Sequence, residues 1–103
     1  MSCCNNINIR TTAVAFNDTA STLTYTVGAN SFSAGKPYNI VFAQPIPADT
    51  TVNATISITD GTNTYQVFTR KGYPLLVKNI INKSGLRVCF NGISLNLRNF
   101  IEV

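Results

Sequence analysis

The sequence contains no histidine, which removes the commonest general base, the usual partner of a serine or cysteine nucleophile and the most frequent transition-metal ligand. Carboxylates are scarce too. Asp18, Asp49, Asp60 and Glu102 are the only four, and they fall mostly in turn-like stretches or at the terminus, where an aspartate ordinarily caps a turn through its side-chain oxygen. A paired-carboxylate glycosidase would need two of them to meet in one cleft. The three cysteines, Cys3, Cys4 and Cys89, have neither the paired spacing of a zinc site nor the even count of a disulfide framework. The loop Gly28–Gly35 is rich in small residues, but it lacks the lysine and following Ser/Thr of a phosphate-cradling loop. These absences predict no catalytic residue, no metal site and no cofactor.

No tract of eighteen consecutive apolar residues is present, so no membrane-spanning helix is expected. The opening MSCCNNINIR lacks the apolar core of a secretory signal. Synthesis in a reducing cytoplasm is the expectation, with residues 1–6 a flexible tail. The sequons at Asn17, Asn53 and Asn82 stand among thirteen Asn and thirteen Thr, an abundance that produces such matches by chance. Eight basic residues give a formal charge of +4. They are Arg10, Lys36, Arg70, Lys71, Lys78, Lys83, Arg87 and Arg98, scattered singly or in one pair. Such a surface favours an acidic partner, and the absence of a basic run argues against specific nucleic-acid binding.

What is present is period-two alternation. Leu23, Tyr25 and Val27 alternate with threonines, as do Val52, Ala54, Ile56 and Ile58 with Asn53, Thr55, Ser57 and Thr59, the pattern of half-buried strands. Tyr38 to Arg70 reads as three short strands joined by turns. No segment carries a helical stripe. With 103 residues the chain makes one domain, burying roughly 65% of its unfolded surface. The expected fold is a single all-β domain, a small antiparallel β-sandwich or partly open barrel of about seven to eight short strands.

Three hairpins can be written from the turns. Asn91-Gly92 as a two-residue type I′ loop places Phe90 opposite Ile93, Val88 opposite Leu95 and Leu86 opposite Leu97, all six on one face, with Arg87, Cys89, Ser94 and Asn96 on the other. Asp60-Gly61-Thr62-Asn63 pairs Ile58 with Tyr65 and Ile56 with Val67. A third hairpin joins Arg10–Phe16 to Thr22–Gly28, with Phe16 near Leu23 and Val14 near Tyr25. Pro45 and Pro47 mark a crossover, and Lys71-Gly72-Tyr73-Pro74 a corner. The dense apolar run Leu75–Ile81 reads as a buried strand, continuous or interrupted near Lys78-Asn79.

Candidate contact residues lie where aromatic and basic side chains leave the core parity. Phe32 sits in the small-residue loop, where it either anchors a partner or folds back onto the core. Phe68, Arg70 and Lys71 take the face opposite Tyr65 and Val67, which suits contact with protein. At the C-terminus, Phe100 and Ile101 complete the candidate partner-binding set.

The central block resembles a known group on Tyr38-Asn39-Ile40-Val41-Phe42-Ala43-Gln44, Ile46-Pro47, Ile56 to Gly61, Thr64-Tyr65 and Thr69 to Pro74. It is similar to small proteins encoded with the capsid genes of tailed bacteriophages, including crAss-like phages, that act as auxiliary or decorating components of the head. The similarity covers roughly residues 22–90 and lies in strand-and-turn pattern. In that group further cysteines and arginines often follow the Gly-x-Pro corner, where this chain has Leu75–Ser84. The resemblance implies a non-enzymatic virion protein on the capsid surface, bound to the major capsid protein and to other copies of itself. A carbohydrate- or host-surface-binding β-sandwich and a small single-stranded nucleic-acid binder are the alternative readings.

Overall fold

The computed structural model describes residues 7–28 and 32–102. Eight strands run in chain order: β1 (Ile7–Arg10), β2 (Ala13–Asn17), β3 (Thr22–Thr26), β4 (Lys36–Val41), β5 (Thr55–Thr59), β6 (Thr64–Phe68), β7 (Lys83–Phe90) and β8 (Leu95–Glu102). They form one sheet of order β1-β4-β7-β8-β6-β5-β3-β2, curled into a half-barrel. The all-β class and the partly open barrel of about eight strands are therefore as expected. Period-two patterning suggested antiparallel pairing throughout, yet the sheet is mixed, with β1–β4, β3–β5 and β6–β8 parallel.

The concave side holds the core. Leu23, Tyr25, Tyr38, Ile40, Ile56, Ile58, Val67, Leu86, Val88 and Leu95 are at most 1% exposed. At about 25 cal/mol per Å² this apolar burial is the main term opposing chain entropy. The Tyr25 and Phe42 rings stack at 4.4 Å between centroids. Phe32, Tyr38, Tyr65 and Phe90 form a second aromatic cluster, with centroid separations of 4.8–5.7 Å.

One segment supplies both terminal strands. The expected strand Arg10–Phe16 breaks between Thr11 and Thr12: the Thr11 amide donates to Val41 O (3.0 Å) while the Thr12 amide donates to Thr26 O (2.7 Å). Arg10 thus ends β1, beside β4, and Ala13 begins β2, beside β3. The break is held because the buried Thr11 hydroxyl donates to Gln44 Oε1 (2.5 Å) and accepts from the Ala43 amide (2.8 Å). Phe16 opposite Leu23 and Val14 opposite Tyr25 are paired as predicted.

The Asn91-Gly92 turn is a four-residue loop, and the predicted register is shifted by two residues. Phe90 pairs with Leu95 and Val88 with Leu97, and beyond a bulge Leu86 pairs with Phe100. The cause is the Asn91 side chain, whose Oδ1 accepts from the Ile93 (2.9 Å) and Ser94 (2.8 Å) amides. Asn91 therefore stays out of the left-handed region, and Gly92 alone takes positive φ, +97°. A shift of two residues conserves facing, so Leu86, Val88, Phe90, Leu95 and Leu97 stay in the core while Ile93 is 83% exposed. Asp60 builds the same loop, accepting from Thr62 (3.0 Å) and Asn63 (2.8 Å).

Ile58 faces Tyr65 as predicted, whereas Ile56 and Val67 do not pair. The Ile56 amide donates to Leu75 O (3.0 Å) and the Leu75 amide to Val67 O (2.9 Å); the chain returning from the Lys71–Pro74 corner enters between β5 and β6. β5 accordingly begins at Thr55, and Val52, expected within that strand, is 49% exposed. The run Leu75–Ile81 is not a strand. It forms a 3-10 turn at Val77–Asn79, with Leu75, Val77 and Ile80 buried, the Asn79 side chain accepting from the Leu76 amide (3.1 Å) and the Val77 and Lys78 amides donating to Ala54 O and Val52 O. Pro45 and Pro47 lie in the crossover from β4 to β5, which was expected to run between two sheets but joins two parts of one sheet.

Candidate docking surface

The parallel register aligns Asn8 with Asn39 and Arg10 with Val41 across β1 and β4. The β4–β7 register aligns Asn39 with Arg87 and Val41 with Gly85, and Gly85 in turn faces Ile101 of β8. Alternation puts all of these on the convex face, opposite the core residues Tyr38, Ile40 and Leu86. Asn8, Arg10, Asn39, Val41, Arg87 and Ile101, with Ile9 at the margin, line a shallow depression of about 450 Å³. Beside it the strands approach closely at Gly85, where a β-carbon would collide with the Ile40 carbonyl oxygen. Asn39 Nδ2 donates to Asn8 Oδ1 at 3.0 Å, fixing both amides.

This face is basic. Arg10, Arg87 and Arg98 project from it and are exposed, with Arg98 Nη1 3.3 Å from Cys89 Sγ. The carboxylates are elsewhere: Asp18 follows β2, Asp49 lies in the crossover, and Asp60 is tied into its own turn. Glu102 accepts from Lys83 Nζ at 2.8 and 2.9 Å, an exposed pair worth ~0–1 kcal/mol.

The residues marked by the sequence are dispersed. Phe32 packs edge-on against Tyr38 and Tyr65, so it completes the aromatic cluster and offers no free ring; residues 29–31 of its loop lie outside the described residues, as do the 1–6 tail with Cys3 and Cys4. Phe68 is half-buried, its backbone paired with Asn96 of β8 and bridged to Pro74. Arg70 and Lys71 are exposed at the tip of the Thr69–Tyr73 turn, separated by β8 from the depression. Phe100 turns to the core side, with Lys83 Nζ 5.3 Å from its ring centroid, while Ile101 borders the depression. Arg10, Arg87, Asn8 and Asn39 were not singled out. The parity that turned Arg87 away from the core was readable, but the parallel pairing that brings Arg10 onto the same face, across β4 from it, joins residues about thirty positions apart.

Among the described residues no group of three or more His, Cys, Asp or Glu side chains converges, and no helix is long and apolar enough to cross a membrane. Compared with known proteins, the chain matches no protein-family model, no curated protein and no solved structure.

Proposed function

We propose that the chain is a non-enzymatic head-decoration protein of a tailed phage, bound to the outside of the assembled shell and bridging neighbouring capsid subunits. The observation that carries this reading is the half-barrel's pair of terminal strands, β1 and β2, each paired on one side only among the described residues. Such strands add readily to a neighbouring chain. The resemblance of the Tyr38–Pro74 block to phage head-accessory proteins points the same way. Many copies on a repeating shell make weak single contacts sufficient. The partners are then the major capsid protein and further copies of this chain, and the site of action is the capsid surface. Carbohydrate or nucleic-acid stacking has less support, because Phe32 and Tyr65 are spent on the aromatic cluster, leaving Tyr73 at 68% exposure.

Purified particles of the encoding phage, digested and quantified by mass spectrometry, test this. Many copies per head, accessible to antibody on intact particles, are expected. A chain absent from particles, or present in infected cells only, refutes it.

A further inference from the structure

Among the described residues β1 has an unpaired backbone edge, and the convex face it shares with β7 carries Arg10 and Arg87 with no carboxylate paired to either. Thr11 directs its amide to β4 and Thr12 directs its amide to β3, so strand alternation places the Asn8 and Arg10 amides and carbonyls on the side of β1 away from β4. The same two residues send their side chains to the convex face, Asn8 held by Asn39 and Arg10 at the rim of the depression it shares with Arg87. A carboxylate brought to this face would meet a guanidinium, a group that recognises carboxylates through its planar fork. The other terminal strand differs. β2 carries Ala13, Ala15 and Asn17 on its outward parity and has no charge to select a partner.

We propose that β1 is a docking edge for an extended acidic segment of the shell protein. The segment adds as a strand, exchanging backbone hydrogen bonds with Asn8 and Arg10, and sets a carboxylate against Arg10, with Arg87 two strands further in adding to the positive field there. This rests on the shell-binding reading for the identity of the partner; the chemistry of the site is read from β1, β4 and β7 alone. Backbone pairing supplies affinity, and the arginine pair selects acidic over neutral or basic strands.

The probe is a blocked seven-residue peptide with glutamate alternating with valine, labelled for fluorescence anisotropy. Binding is expected, with slowed exchange of the Asn8 and Arg10 amides, and at least a tenfold weakening for Arg10→Glu combined with Arg87→Glu. Both arginines are exposed, so the variant should melt as the parent does. A lysine–valine peptide should not bind. Versions N-methylated at every second amide, made in both phases, separate pairing from charge: one phase should lose binding. Equal binding of both methylated phases, of the lysine peptide or by the double variant overturns the proposal, as does failure of the glutamate peptide to bind. A double variant that still decorates heads normally removes this edge and leaves the shell reading standing. A chain that binds the peptide but is absent from purified heads does the reverse.

Discussion

At Thr11 the chain passes from one end of the half-barrel to the other, and one buried side chain anchors that passage to the segment after β4. Its hydroxyl is bonded to Gln44 Oε1 and to the Ala43 amide, and Gln44 Nε2 returns a bond to Thr11 O at 3.1 Å. Truncating Gln44 leaves a 2% exposed hydroxyl and a carbonyl short of partners, so Gln44→Ala should cost about 1–3 kcal/mol in urea unfolding. Tyr25 makes a second residue-scale prediction. Burial pushes its phenol up to about 12, against about 10 in an unfolded chain. The folded state holds this proton more tightly, so its contribution is fully present below pH ~10 and is lost as pH rises through ~12. Stability should fall by on the order of 1–3 kcal/mol across that window, and Tyr25→Phe should flatten the decline. A decline of equal slope in the variant would show that another group titrates.

Among the elements, facing was more legible than register. Parity around Asn91-Gly92 assigned Leu86, Val88, Phe90, Leu95 and Leu97 to the core, yet the turn chemistry misled, because an asparagine that caps two amides with its side chain no longer needs positive φ. The hairpin of β2 and β3 was readable from local apolar pairs, Phe16 with Leu23 and Val14 with Tyr25. The wedge of Leu75 between β5 and β6 and the parallel pairings were not, since nothing local encodes which distant strand supplies the next hydrogen bonds. Gly85 shows how closely another distant pair, the antiparallel β4 and β7, approaches. A β-carbon there meets the Ile40 carbonyl oxygen and the Ile101 side chain at 3.0 Å, so Gly85→Ala should lower stability by about 1–3 kcal/mol, as overpacking does. Thermal melts of the two proteins decide this, and coincident curves would mean that β4 and β7 part more easily than drawn.

On the scale of the whole molecule, composition foretold a basic, β-rich domain without histidine chemistry, but not where its charge gathers. The +4 surplus concentrates on the convex face because Arg10, Arg87 and Arg98 share strand parity there, while the carboxylates are drawn to turns, the crossover and the Lys83 ion pair. On the proposed shell-binding role such a face would speed encounter with an acidic shell, yet exposed ion pairs contribute only ~0–1 kcal/mol each. Retention would then come from backbone pairing and apolar burial, which salt does not screen. The most direct measurement is therefore to wash decorated phage heads in about 1 M salt, a condition with a screening length near 3 Å, and to assay the chain that stays with the particles. Slower docking but continued retention is the predicted result; complete release into the wash would contradict it.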